Sequence, residues 1–93
     1  MNKIIETPCG KIRGQIRDGY VLYRGIPYAE PPVGNLRWRP PVKKRKWEHI
    51  LEADDWKNIC VQPPNISEMY LREFYSDSVY QRPMDEDCLF LHV

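Results

Sequence analysis

The sequence predicts a mostly-β chain, with a small antiparallel sheet at its start, irregular connections through its middle and one apolar strand at its end. Three observations carry this. Near the N-terminus, short runs alternate apolar and polar residues around an Asp-Gly pair. Nine prolines and five glycines among 93 residues leave little room for long helices. The last six residues form a continuous apolar run.

The first element is Ile4-Ile5-Glu6-Thr7, a short strand that ends at Pro8-Cys9-Gly10. Lys11 to Arg17 follows with Ile12, Gly14 and Ile16 on one face and polar residues on the other, the period of two expected of a half-buried strand. Asp18-Gly19 then separates it from Tyr20-Val21-Leu22-Tyr23-Arg24. That pair is tight-hairpin chemistry, because glycine takes a positive φ without steric cost. The opening is thus a three-stranded antiparallel meander.

From Gly25 to Pro41 the prolines at 27, 31, 32, 40 and 41 deny regular helix and deny donors to a sheet. The segment reads as a stiff extended connection anchored by the packing of Tyr28, Leu36 and Trp38. Trp47 to Ala53 fits either a short strand or a helical turn. Residues 61–86 are polar and irregular, with one candidate helical turn at Ser67 to Phe74. Cys88 to Val93 has the character of a strand buried on both faces. With nothing here to cover such a strand, the sequence predicts further chain beyond Val93.

The bulk properties exclude several function classes. Net charge is +1, without the basic excess of a dedicated nucleic-acid binder. Lys43-Lys44-Arg45-Lys46 therefore reads as a solvated loop. The N-terminal residues hold too short an apolar run for a signal peptide, and the sequence has no stretch of about 20 apolar residues for a membrane span. The expected location is cytoplasmic, with no membrane partner. Cysteines stand at 9, 60 and 88, an odd number that favours reduced thiols, and neither they nor His49 and His92 show zinc-ligand spacing. Asp85-Glu86-Asp87 would point its carboxylates alternately to opposite faces of a strand, poor geometry for one ion, so pairing of one with an arginine is the better reading.

Tyr23-Arg24-Gly25-Ile26-Pro27-Tyr28-Ala29-Glu30-Pro31-Pro32-Val33-Gly34-Asn35-Leu36-Arg37-Trp38 closely resembles the N-terminal signature of type-B carboxylesterases. This family includes the cholinesterases and is built on the α/β-hydrolase fold. Trp47, Ala53, Cys60 with Gln62, and Glu86 to Val93 follow in the family's order, so the resemblance runs from about Thr7 to the end. It implies an α/β fold class, with residues 1–93 as the mostly-β N-terminal part of a single type-B carboxylesterase domain. The chain would be truncated before the oxyanion loop and the nucleophile elbow, and Cys88 to Val93 would be the first strand of the large central sheet. Two departures stand out. Asp85 lies where the family more often has serine, and His92 where it has asparagine.

The resemblance further implies an ion pair between Arg37 and Glu86. It brings Cys60 and Cys88 together; in secreted members these positions form a disulfide closing the loop of residues 61–87, while Cys9 has no matching partner. Tyr70 falls where cholinesterases place a cation-binding tryptophan at the gorge entrance. A tyrosine face attracts cations more weakly, and a packing or surface role is the plainer reading.

A serine esterase needs a nucleophile on Gly-x-Ser-x-Gly, an acid, a histidine base and a glycine-rich oxyanion loop. Ser67, Ser76 and Ser78 lack glycines at plus and minus two, and no Gly-Gly pair occurs. No catalytic, cofactor-binding or metal-binding residue is assigned, and the chain by itself is expected to be inactive. The parent would hydrolyse small carboxylic esters through an acyl-serine intermediate, without a cofactor. The alternative is a piece of a catalytically inactive cholinesterase-like adhesion protein.

Overall fold

The computed structural model describes residues 2–63, 69, 72–74 and 82–93. Strand β1 (Asn2–Thr7) pairs antiparallel with β2 (Gly10–Arg17), which turns at Asp18-Gly19 into β3 (Tyr20–Leu22). The meander thus forms at the register its alternation requires, with Ile5 opposite Ile12 and Arg17 opposite Tyr20. A fourth strand, β5 (Leu51–Glu52), runs parallel to β2 on the edge it shares with β3. It resolves the ambiguous stretch from Trp47 to Ala53 as extended backbone.

The core lies under this sheet. Ile12 is 2% exposed, and it clusters with Tyr23 and Ala53, flanked by Ile5, Val21, Ile26, Trp47 and Leu51. Burying one such isoleucine contributes about 1.5–3 kcal/mol. Trp47 caps the cluster, its indole N–H donating to the Lys11 carbonyl at 2.9 Å. Ile16, expected on the same face as Ile12, lies past the end of the core and is exposed.

The second sheet departs from expectation. Tyr20 to Arg24 is not one strand: the chain breaks at Tyr23, and Arg24–Pro27 forms a separate strand, β4. The prolines of the connection delay regular pairing but do not prevent it. β4 stops at Pro27, and farther on the Glu30 N–H still reaches the Val42 carbonyl at 2.9 Å. β4 pairs antiparallel with β6 (Phe90–His92) through a bulge between Arg24 and Ile26. Tyr23 and Val93 extend the pairing by exchanging both backbone bonds at 2.8 Å.

One packing expectation is corrected. Leu36, at the end of a 3₁₀ turn (Gly34–Leu36), is half-buried, but Tyr28 is exposed and Trp38 is 94% exposed at a φ of 65°. Backbone bonds from Leu36, Arg37 and Arg39, rather than aromatic packing, shape this segment. In the terminal run, for which the sequence predicts cover from further chain, Leu91, His92 and Val93 are exposed. Within the candidate turn at Ser67 to Phe74, Met69, Arg72 and Glu73 are helical. Tyr70 and the three serines lie outside the described residues.

Candidate functional site

The residues singled out by sequence converge on the segment where the proline-rich connection meets the start of β6. The 3₁₀ turn ends at Arg37, whose N–H donates to the Gly34 carbonyl at 3.2 Å and whose side chain turns toward Glu86. The guanidinium donates through Nε to Oε2 at 2.5 Å and through a terminal nitrogen to Oε1 at 2.6 Å. This is the two-pronged geometry that suits guanidinium to carboxylate. The hydrogen bond with Glu86 raises the Arg37 pKa, and the same bond holds the Glu86 carboxyl below its ordinary value. Their side chains keep 48% and 42% of their exposure, so water screens the pair.

The last residues of the loop 61–87 are drawn back to the chain just before it. Ile59 N–H donates to the Pro83 carbonyl at 3.0 Å, Asp85 N–H returns to the Ile59 carbonyl at 3.1 Å, and the Asn58 amide donates to the Asp87 carbonyl at 3.3 Å. Asp85 also accepts from the Asp87 N–H at 2.9 Å, a side-chain turn that aims Glu86 outward to Arg37. At this base lie Cys60, exposed, and Cys88, half-buried, both free thiols, as is Cys9. Burial pushes the Cys88 thiol up to about 11, helped by its hydrogen bond with the Cys60 thiol and by the charges of Asp87 and Asp85. Thiolate forms reluctantly there.

A cleft of about 220 Å³ opens beside this base, lined by Trp56, Lys57, Asn58, Ile59, Arg82, Phe90 and His92. Asp55 accepts from the Trp56 N–H at 2.8 Å and from Arg82 at 2.8 Å; the backbone bond foremost, then Arg82, hold its carboxyl low. The Arg24 guanidinium lies 5.5 Å from the Trp56 ring centroid, and the His92 ring meets Trp56 edge-on at 4.5 Å. Sequence reasoning missed this grouping of Arg24, Trp56 and His92. Its members are distant in the chain, and the available signal was the glycine inside Arg24-Gly25-Ile26, which marks a bulge. Lys44 and Arg45, read as a solvated run, both engage Glu30: the Arg45 N–H donates at 2.8 Å and Lys44 Nζ lies at 3.5 Å. The Arg45 backbone bond is the first cause of a lowered Glu30 pKa, Lys44 adding its charge.

Among the described residues no group of three His, Cys, Asp or Glu side chains has the geometry to hold a metal, and no helix is long and apolar enough to cross a membrane. The arrangement clamps two parts of the chain to each other.

The Carboxylesterase family model matches residues 1–93. The chain is 35% identical over 92 residues to the para-nitrobenzyl esterase of Bacillus subtilis, covering 99% of this chain and 17% of that protein. It is also similar to the acetylcholinesterase of Bungarus fasciatus, 35% identical over 95 residues, covering 96% of this chain and 15% of that one. A solved PNB esterase structure superposes with a TM-score of 0.84 at 32% identity, covering 99% of this chain and 18% of that one. The chain therefore spans about a sixth of the length of these relatives.

Proposed function

The chain belongs to the carboxylesterase family, with the α/β-hydrolase fold of its structural neighbours, and on that premise we propose that its parent protein hydrolyses carboxylic esters. The reaction runs through an acyl-serine intermediate whose serine, acid, histidine and oxyanion loop all lie outside these 93 residues. The observation that carries this reading is the match over residues 1–93 to a family whose similar members here are esterases by name. This segment is the N-terminal, non-catalytic part: it supplies a small sheet, the Arg37–Glu86 clamp and the base of the loop 61–87. No cofactor enters the reading. An adhesion role is not favoured, since the relatives at hand point to esterases.

Three finer points belong to the same proposal. The substrate is a small carboxylic ester. The parent is cytoplasmic and binds neither nucleic acid nor membrane, in keeping with the net charge of +1 and free thiols at 60 and 88. Tyr70 is a candidate entrance aromatic by sequence resemblance alone, a packing or surface role being the plainer reading.

Two measurements test the proposal. The isolated chain should hydrolyse p-nitrophenyl acetate no faster than a protein of equal histidine content. A saturable rate abolished by a serine-directed phosphonate would place the chemistry within this segment and overturn the reading. Sequencing downstream of codon 93 should reveal, in frame, a glycine-rich loop and then Gly-x-Ser-x-Gly. An open frame that carries the fold but lacks that serine would return the adhesion alternative.

A further inference from the structure

The bulge between β4 and β6 leaves one backbone amide to be satisfied by a side chain. Gly25 sits in the bulge at a φ of 82°, is buried, and has no room for a β-carbon, which would lie 2.7 Å from the Asp55 carbonyl oxygen. Its N–H donates to His92 Nδ1 at 2.9 Å. A ring nitrogen accepts a hydrogen bond only when it carries no proton, so this contact requires the neutral imidazole with its proton on Nε2. Trp56, edge-on at 4.5 Å, holds the ring in that orientation.

We propose that His92 is a proton-sensitive latch that ties β6 to β4 through the Gly25 amide while its imidazole is neutral and releases it on protonation. An asparagine at this position would also offer an acceptor but would not titrate. The inference rests on the β4–β6 geometry and is independent of the esterase reading.

The charges around the ring come from every element that meets it. Arg24 faces it from β4, Lys57 and Arg82 line the same cleft, and Asp54 and Asp55 lie on the segment after β5. Asp55 is engaged by Arg82, and the Asp54 carbonyl accepts from Arg24 at 2.7 Å. A second proton on the ring would break the Gly25 bond and set a cation beside Arg24. Burial first, then Arg24, lower the His92 pKa from its ordinary 6.5. Because the folded value is depressed, the latch contributes fully above 6.5 and is lost as pH falls through the folded value.

The test follows the His92 ring C–H resonances by NMR between about pH 5 and about pH 8, in the folded chain and in the same chain unfolded in urea. Hydrogen exchange of the Gly25 amide, corrected for intrinsic rate, is measured alongside. The His92 midpoint is expected to be lower in the folded chain, and Gly25 protection to fall about tenfold across that titration. In His92→Asn, Gly25 protection should not vary with pH over the range. Equal midpoints, a higher folded midpoint, or protection indifferent to the His92 titration would each overturn the proposal. So would a His92→Asn variant that keeps the parent's pH dependence, which would assign the effect to the Asp55–Arg82 pair. If His92→Asn fails to fold, the two measurements on the unmodified chain still decide.

Discussion

The β1–β2–β3–β5 sheet and the β4–β6 pair are both small and largely antiparallel, yet different forces hold them. The first covers an apolar cluster of Ile12, Tyr23 and Ala53 and draws on neighbours close in sequence for most of its pairings. The second meets that cluster through Ile26, has exposed residues along its outer strand and is otherwise tied by polar contacts: the Arg37–Glu86 pair, the Gly25–His92 bond and the Tyr23–Val93 exchange. The shape fits this division. The chain is a slab of 41 × 39 × 16 Å with a radius of gyration of 15.3 Å, against about 12 Å for a compact domain of this length. A region with a core resists loss of any one contact, whereas a region held by polar ties at its surface depends on solvent conditions.

The comparison breaks if the core does not dominate stability. Ile12→Ala should have the largest effect, a loss of about 2–5 kcal/mol in urea melts, enough to unfold the sheet. A near-silent Ile12→Ala would mean that the slab is held by something other than this cluster.

Oxidation should shift stability toward the second region. A disulfide between Cys60 and Cys88 across the loop 61–87 would contribute at most about 3.5 kcal/mol on the chain-entropy model. Thiol counting on denatured protein should find three free thiols before oxidation and one, Cys9, after it. A bridge containing Cys9 would overturn this pairing.

Removing the ion pair should cost much less than Ile12→Ala, because both side chains stay in contact with water. The sign with pH is fixed by Glu86. Arg37 lowers its carboxyl pKa below the ordinary 4.5, so its contribution is present above that value and lost as pH falls through the folded one. Glu86→Gln should remove that acid limb from a pH–stability curve; an unchanged limb would assign it to Glu30 or Asp55.

The smallest effect is expected at Trp38, which holds a left-handed conformation with its side chain in solvent. Trp38→Asn should be neutral or stabilising by less than about 1 kcal/mol in thermal melts. A clear loss would show that the indole packs against something in solution.

What the sequence revealed follows the same division. The meander was legible because its signals are local: alternation at Ile12 and Gly14, and a turn at Asp18-Gly19. The Arg37–Glu86 pairing was implied by family resemblance, not by any periodicity. β5 stayed ambiguous between a short strand and a helical turn because two residues beside a strand far earlier in the chain leave no periodic trace. β4 escaped because Pro27, Pro31 and Pro32 mark a connection more loudly than Arg24-Gly25-Ile26 marks a strand. The exposure of Trp38 was missed for a related reason: residue type suggests burial, while the backbone turn at 34–37 decides direction.

The Tyr23–Val93 exchange bears on how quickly the chain reaches this structure. It joins residues seventy positions apart, so the chain must close most of its length on itself before either bond forms. The β1–β2–β3 hairpins can zip on the microsecond scale without waiting for it. The β4–β6 pair must come later, as a slow step that registers the far end of the polypeptide against an already ordered sheet.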